Sequence, residues 1–170
     1  RDRVYAIDLK MPGMLVSTIK DSPVFGGKVK SYDATKALSM KGVKKVVQVG
    51  DSAVAVIADT FWQAKVALDQ VNIVWDNGTN ANVSSADIKK MLEEGLTAND
   101  TFVGNSNGDV KAALASASKK IEATYFYPFL NHATLELQTA TAKWTADSCE
   151  AWVPTQDGEA SLAAVIAASG

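Results

Sequence analysis

The hydrophobic pattern divides the first half of the chain into short strands. Residues 53–58 are apolar without interruption, which is typical of a strand that is buried on both faces. The other runs alternate between apolar and polar residues or are rich in β-branched side chains, as half-buried strands are. The predicted strands cover residues 4–10, 14–19, 28–32, 43–49, 53–58 and 71–75.

Two helices are predicted between these strands. The carboxylate of Asp33 can accept the free amides of a first turn, so it is expected to cap a helix over residues 34–40. Asp59 or Thr60 is expected to cap a second helix over residues 61–70, which carries one apolar face. Two strand–helix–strand passes in succession predict an α/β layer in which helices pack on a mixed sheet.

Two further helices are predicted in the second half. Ser84 and Asp87 have the spacing of a capping box and precede a helix that ends at Gly95. Asp109 is expected to cap a longer helix, because apolar residues keep helical spacing from there to Ile121. Residues 134–141 follow, and the residue types Thr134, Leu135, Leu137, Thr139 and Thr141 favour a strand there.

Composition narrows the functional classes. The chain has 170 residues, of which 47% are hydrophobic, and its net charge of −2 gives no electrostatic support for binding nucleic acid. No apolar run reaches the ~20 residues of a transmembrane helix. The single cysteine, Cys149, excludes an intrachain disulfide and any cysteine-rich zinc or iron–sulfur site. The cellular compartment stays open between the periplasm and the cytoplasm.

The two ends of the chain suggest a piece of a longer polypeptide. It begins at Arg1 rather than at a methionine, and it ends at Gly170 within an apolar helical pattern. Three Asn-x-Ser/Thr triplets also occur, but such triplets are frequent by chance and predict little. We expect a truncated second domain.

Residues 121–156 carry the most specific pattern. This stretch, IEATYFYPFLNHATLELQTATAKWTADSCEAWVPTQ, resembles the start of the molybdenum-cofactor-binding region of the xanthine dehydrogenase and aldehyde oxidase family. The isoquinoline 1-oxidoreductase β-subunit branch is the more similar one. The matching residues are Ala123, Thr124, Tyr125, Pro128, Phe129, His132, Ala133, Glu136, Ala140, Thr141, Ala142, Cys149, Glu150, Trp152, Pro154, Thr155 and Gln156.

The first part of the chain resembles the α/β hammerhead domain of the same family, through matches between residues 12 and 76. The resemblance therefore implies an α+β fold of three parts. Residues 1–76 form a hammerhead-like domain with a mixed sheet and packed helices. Residues 77–108 form a linker with one helix, and residues 109–170 form the truncated N-terminal part of a molybdopterin-binding domain.

The resemblance also implies a chemistry for a full-length parent. Such a parent hydroxylates an N-heteroaromatic, isoquinoline-like substrate or an aldehyde, using water as the oxygen source. Its cofactor is a molybdopterin with molybdenum, expected in the cytosine dinucleotide form, and its partner is a small [2Fe–2S] subunit. The family's catalytic glutamate and its glycine-rich cofactor loops fall outside these 170 residues, so the chain alone is expected to be inactive, without a catalytic residue and without cofactor.

Gln156 is the best candidate for a functional side chain. In the family, the glutamine of the matching Thr-Gln element approaches the molybdenum and donates a hydrogen bond to an oxo ligand. A neutral amide can orient such an oxygen without competing as a ligand. The alternative is a glutamine at the end of a strand that bonds only to backbone.

His132 and Glu136 are expected to support the cofactor cavity. Their spacing of four would place them on one face of a helix, but the residues around them favour a strand, in which they would lie ~13 Å apart. That distance is too great for one metal ion, so no metal site is predicted. Buried side chains that bond to backbone are the expected state of both.

Other residues are assigned to packing. Cys149 lacks a nearby histidine or cationic cluster that would activate it. The segment Phe25-Gly26-Gly27-Lys28 lacks the spacing of a phosphate loop and is expected to form a turn of the hammerhead domain. The four tryptophans are expected to be core or interface anchors.

The alternative to a segment of a molybdenum enzyme is a non-catalytic module for subunit docking or assembly.

Overall fold

A computed structural model describes residues 5–170 and shows an α+β protein. The predicted α+β class is confirmed. No helix within residues 5–170 is both long and apolar enough to cross a membrane. The strands are β1 (Val16–Asp21), β2 (Lys28–Asp33), β3 (Val43–Val49), β4 (Ala53–Ala58), β5 (Asn72–Asp76), β6 (Thr141–Trp144) and β7 (Cys149–Trp152). The helices are α1 (Thr35–Leu38), α2 (Phe61–Leu68), α3 (Ser85–Gly95), α4 (Val110–Ser116) and α5 (Gly158–Ser169).

Strand β4 is the centre of the main sheet. It pairs antiparallel with β1 on one side and with β3 on the other, so that Val56 lies opposite both Thr18 and Val46. Both Val54 and Val56 have no exposed surface. The uninterrupted apolar run of β4 therefore does what the sequence predicts, because a central strand covered on both faces needs apolar residues at every position.

Helix α2 covers this sheet with its small residues. Ala64 and Ala67 are fully buried, and the helix begins at a Thr60 cap whose hydroxyl oxygen accepts a hydrogen bond from the amide of Gln63 at 3.3 Å. Thr60 is thus the cap of the two candidates. Asp59 instead forms an ion pair with Lys44 at 2.9 Å. The helix ends at Leu68, two residues earlier than the pattern predicts.

Strands β2 and β5 form a separate antiparallel pair, with an irregularity between Val29 and Ser31. In each predicted strand–helix–strand pass, the two strands enter different sheets: β2 and β3 are not neighbours, and neither are β4 and β5. Every strand pair within residues 5–170 is therefore antiparallel, where the sequence pattern suggests a mixed sheet.

The turn before β2 is stabilised by a residue far away in the sequence. Gly26 has a φ of +78°, and the side-chain amide of Asn80 donates to the carbonyl oxygen of Phe25 at 2.9 Å. A Cβ atom on Gly27 would collide with the hydroxyl of Ser22 and lie 3.0 Å from the carbonyl oxygen of Val24. The two glycines are therefore required by the turn itself.

The predicted N-terminal strand is wrong where it is described. Val4 lies outside the described residues, and Ala6–Asp8 form a short 3₁₀ helix instead. The carboxylate of Asp8 accepts the backbone amide of Tyr5 at 3.3 Å, which satisfies locally a donor that a strand would offer to a neighbour.

The helices of the second half begin where the sequence places them. The hydroxyl of Ser84 accepts the amide of Asp87 at 3.2 Å, and the carboxylate of Asp87 accepts the amide of Ser84 at 2.8 Å, which completes the capping box. Asp109 caps α4 at 2.9 Å. However, α4 ends at Ser116 rather than near Ile121. It buries no residue, and a short helix without tertiary support is marginal in water.

The strand predicted over residues 134–141 is also wrong, apart from its last residue. Residues 117–140 contain no helix or strand, and β6 begins at Thr141. The hydroxyl of Thr134 donates to the carbonyl oxygen of Glu136, two residues further, at 2.6 Å. A strand requires a neighbour for its backbone groups, and no pairing partner lies beside this segment in the described chain.

Candidate functional site

The hairpin of β6 and β7 leads directly into the residues of the candidate site. Its register pairs Thr141 with Trp152 and Trp144 with Cys149, so the chain leaves β7 directly into Val153. The turn between the strands is closed by the amide of Thr145, which donates to the carbonyl oxygen of Ser148 at 2.8 Å. The hairpin therefore sets the position at which the following residues, 153–157, begin.

Gln156 lies between this hairpin and helix α5, and its side chain is exposed. Thr155 accepts the amide of Asp157 at 3.0 Å, and the carboxylate of Asp157 accepts the amide of Ala160 at 2.9 Å as the cap of α5. Both neighbours of Gln156 are thus fixed by hydrogen bonds. A Gln156 amide enclosed in an apolar interior would contradict the expected role, and the structure does not show it.

His132 and Glu136 do not occupy the expected environment. Both are exposed, in a segment without helix or strand, so the prediction that they are buried is wrong for the described chain. The amide of Ala133 donates to the carbonyl oxygen of Asn131 at 2.9 Å, which bends the chain beside His132. Within residues 5–170 the structure gathers no group of three or more His, Cys, Asp or Glu side chains that could hold a metal ion.

Glu136 lies instead at an open cleft that the sequence does not reveal. The cleft has a volume of about 450 Å³ and joins the N-terminal segment to the hairpin. A second cleft of about 340 Å³ lies beside it and shares Tyr5 and Glu136. The lining residues of the larger cleft are Tyr5, Ala6, Leu9, Glu136, Ala151, Trp152, Val153 and Pro154. Tyr5 is missed by sequence reasoning because no local pattern links it to a hairpin more than a hundred residues away.

The lining of this cleft is mostly apolar, and Glu136 is its one acidic residue in the described chain. Gln156 does not line the cleft but follows Pro154 by two residues. The structure thus brings Glu136 and the residues before Gln156 to one surface, and it leaves His132 outside the lining.

The structure also places Cys149 and the four tryptophans. Cys149 is a free, half-buried thiol on β7. Trp62 and Trp144 are 69% and 62% exposed, which excludes a core role for them within this chain. Trp152 is half-buried and lines the larger cleft, and Trp75 is half-buried on β5. The assignment of the exposed tryptophans to an interface stays a prediction.

The comparisons with known proteins point to dehydrogenases and oxidoreductases. The chain is 26% identical over 161 residues to a nicotinate dehydrogenase subunit of Pseudomonas putida, covering 90% of this chain and 13% of that protein. It is 30% identical over 148 residues to the membrane-bound aldehyde dehydrogenase [pyrroloquinoline-quinone] of Gluconacetobacter polyoxogenes, covering 82% and 19%.

A third relative is the aldehyde oxidoreductase molybdenum-binding subunit PaoC of Escherichia coli O157:H7, 33% identical over 101 residues, covering 59% of this chain and 13% of that protein. No protein-family model matches the chain. A crystal structure of a Cu,Mo-CO dehydrogenase matches with a TM-score of 0.38 and 21% identity over 43% of this chain and 13% of that chain, too low a similarity to inform the fold.

The chain thus spans less than a fifth of the length of these curated relatives. Their names share one theme, the oxidation of an aldehyde or of a nitrogen heteroaromatic acid, and one of them names molybdenum. The chain is therefore similar to one segment of bacterial aldehyde and nicotinate oxidoreductase subunits.

Proposed function

We propose that this chain is a segment of the large subunit of a molybdenum-dependent oxidoreductase. The parent enzyme hydroxylates an N-heteroaromatic, isoquinoline-like substrate or an aldehyde, with water as the oxygen source. The observation that carries the proposal is the similarity of 82–90% of the chain to two of these relatives, together with similarity to a third that is named as a molybdenum-binding subunit. The exposed Gln156 at the exit of the hairpin supports it.

The names of the relatives support both substrate classes. Nicotinate is a nitrogen heteroaromatic acid, and two relatives act on aldehydes by name. In both classes the carbon to be hydroxylated is electron-poor, because it is bonded to a ring nitrogen or a carbonyl oxygen. The proposal therefore extends to electron-poor carbons of this kind and leaves the individual substrate open.

The residues present fit a contact with an oxygen-bearing cofactor. The side chain of Gln156 accepts or donates no hydrogen bond within residues 5–170. Its neutral amide could therefore donate to an oxygen on the metal without competing as a ligand itself. The bound molybdopterin and its molybdenum would supply the redox chemistry. In this proposal Glu136 supports the cavity around the cofactor from the wall of the cleft, whereas no contact in the described chain supports the same role for His132.

The test uses the longest natural polypeptide that contains this chain, purified with any small subunit that accompanies it. We expect about one molybdenum per polypeptide by elemental mass spectrometry, a pterin released on denaturation, and turnover of an aldehyde or of nicotinate-like heteroaromatics. A co-purifying [2Fe–2S] subunit would support the proposed partner. A protein that contains pyrroloquinoline quinone and no molybdenum would overturn the cofactor assignment, a result that the name of one relative makes worth measuring.

A Gln156→Ala variant of the same polypeptide tests the proposed site. Loss of one hydrogen bond that orients an oxygen on the metal is expected to lower kcat by about 10- to 100-fold, with the molybdenum content retained. Wild-type kcat with wild-type metal content would contradict the role of Gln156 without contradicting the family of the enzyme.

The 170-residue chain itself is proposed to hold no cofactor and to turn over no substrate. Near-stoichiometric molybdenum in the purified 170-residue protein would contradict this. One observation favours a second candidate, a non-catalytic docking module: apolar side chains such as Leu130 and Phe129 are 85% and 79% exposed. A longer polypeptide that binds a protein partner but neither molybdenum nor a quinone would favour the module.

A further inference from the structure

Two hydroxyl groups fix the backbone on both sides of Gln156. The hydroxyl of Thr155 donates to the carbonyl oxygen of Asp157 at 3.0 Å and accepts the amide of the same residue at 3.0 Å. The hydroxyl of Ser161, in the first turn of α5, lies 2.9 Å from the hydroxyl of Thr155 and 2.9 Å from the carbonyl oxygen of Asp157. We name Thr155 and Ser161 the hydroxyl pair.

The hydroxyl pair holds both immediate neighbours of Gln156, Thr155 and Asp157. The carbonyl oxygen of Asp157 also accepts the amide of Ser161 at 3.1 Å, so the turn is tied to the helix by backbone and side chain together. These bonds restrict the backbone torsions on either side of Gln156. Its Cα–Cβ direction is then set by the helix, while its side-chain amide stays exposed and free to donate.

This arrangement differs from an ordinary helix cap. Asp157 alone caps α5, through its carboxylate and the amide of Ala160 at 2.9 Å. A cap of this kind stabilises the helix without any bond to the residue two positions before it. The contact between the hydroxyls of Ser161 and Thr155, six residues apart, additionally ties the residue before Gln156 to the first turn of α5.

We propose that the hydroxyl pair, Thr155 and Ser161, consists of positioning residues that aim the amide of Gln156 at the metal-bound cofactor. The inference rests on the proposed function, because it needs Gln156 to face that cofactor. Positioning matters since an error of about 1 Å in a hydrogen-bond donor is enough to lower a rate by roughly 100-fold. The hydroxyl pair itself touches neither substrate nor cofactor in this proposal.

The experiment compares Thr155→Val, Thr155→Ser and Ser161→Ala in the longest natural polypeptide that contains the chain. Valine keeps the shape of threonine and removes the hydroxyl, whereas serine keeps the hydroxyl. We expect Thr155→Val and Ser161→Ala to lower kcat by about tenfold with KM and molybdenum content unchanged. Thr155→Ser is expected to restore most of the lost kcat.

Two readouts do not depend on turnover. Hydrogen exchange at the amide of Asp157 is expected to accelerate in Thr155→Val, because that amide loses its acceptor. The electron paramagnetic resonance spectrum of the molybdenum is expected to change in the same direction in Thr155→Val as in Gln156→Ala. A role in folding alone would alter exchange and thermal stability but leave that spectrum as it is in the wild type.

The matched control is Thr145→Val. Thr145 forms a similar local network in the hairpin turn, where its hydroxyl oxygen accepts the amide of Ser148 at 3.0 Å, but it does not adjoin Gln156. We expect this variant to keep the wild-type kcat and spectrum.

The outcomes separate the two proposals. If Gln156→Ala changes kcat and the spectrum while Thr155→Val and Ser161→Ala behave as the wild type, the positioning role is overturned and the site stands. If Gln156→Ala changes neither, the role of Gln156 fails first and the positioning role fails with it. If Thr145→Val lowers kcat as much as Thr155→Val does, the effect is structural and the positioning role is also overturned.

Discussion

Two regions of this chain bury their apolar residues to very different extents. In the sheet region, residues 16–76, the core includes fully buried residues such as Val54, Val56 and Ala64. In the open region, residues 97–170, no described residue is buried, and Phe102 and Leu130 are 94% and 85% exposed. Both regions carry apolar side chains, so composition does not separate them.

The total surface shows the same contrast. The molecule exposes 14228 Å², whereas a compact monomer of 18.0 kDa is expected to expose about 8,000 Å². The sheet region supplies its own partners: β1 and β3 pair with β4, β2 pairs with β5, and α2 packs against β1 and β4. An apolar pattern becomes a core only where the chain also provides the opposing surface. The open region lacks such a surface, which agrees with the proposal that the chain is a segment of a larger subunit.

The largest expected effect separates the two regions with one type of substitution. Val56→Asp places a carboxylate in the fully buried centre of β4 and is expected to cost about 4 kcal/mol or more of the unfolding free energy, enough to unfold the sheet region. Leu130→Asp in the open region is expected to change it by less than about 0.5 kcal/mol. Urea denaturation followed by circular dichroism measures both, and equal effects would abolish the contrast.

A methyl group added to a glycine tests the same contrast between the sheet region and the open region. Gly27→Ala is expected to destabilise the protein by about 1–3 kcal/mol, because its Cβ meets the Ser22 hydroxyl and the Val24 carbonyl oxygen. Among the described residues, a Cβ atom on Gly104 would meet only the ring of Phe102, at 3.8 Å, so Gly104→Ala is expected to be neutral or slightly stabilising. The thermal midpoints of the two variants decide this, and a stable Gly27→Ala would show that the turn rearranges.

Helix caps give a smaller effect of the same kind. Thr60→Ala removes the cap of α2, which covers the sheet, and is expected to cost about 1 kcal/mol of the unfolding free energy. Asp109→Ala removes the cap of α4, which buries no residue, and is expected to change helical circular dichroism without moving the denaturation midpoint. A midpoint that shifts equally in both variants would argue that α4 belongs to the cooperative core.

The smallest effect is a dependence on pH. The hydrogen bond and charge of Lys28, at 2.8 Å, lower the pKa of Asp51 below its ordinary value. A lowered folded-state pKa means that the stabilisation is present above the unfolded pKa and is lost as the pH falls through the folded value. The unfolding free energy is therefore expected to fall below about pH 4, and less steeply in Asp51→Asn. Because both groups are exposed, added salt is expected to reduce the difference in pH dependence between the wild type and Asp51→Asn. A difference that does not change with salt would contradict this account.

Sequence reasoning succeeded for elements that local rules determine. Strands β3 and β4 have the predicted bounds, and Thr60, Ser84 and Asp109 begin their helices as expected. A cap or an apolar run needs only its own neighbours along the chain, so it is visible in sequence. The failures, such as the end of α4 and the strand over residues 134–141, occur where the outcome depends on a distant partner.

The candidate site likewise combines features that the sequence shows with features that it does not show. Gln156 is found from a local motif, the structure leaves it exposed, and its role toward a cofactor stays a proposal. The cleft that Tyr5 shares with Glu136, and the bond between Ser161 and Thr155, are not visible in the sequence. They depend on where the chain turns, and a residue pattern does not encode that by itself.

The sequence alone determined the helix caps, the central buried strand and the motif around Gln156, because each depends on residues within a few positions of one another. Three features depend on the tertiary structure: the strand pairs are all antiparallel in the described chain, Glu136 lines one cleft with the N-terminal segment, and the open region stays uncovered. The physical reason is that burial and pairing are properties of two surfaces in contact, and one stretch of sequence specifies only one of them.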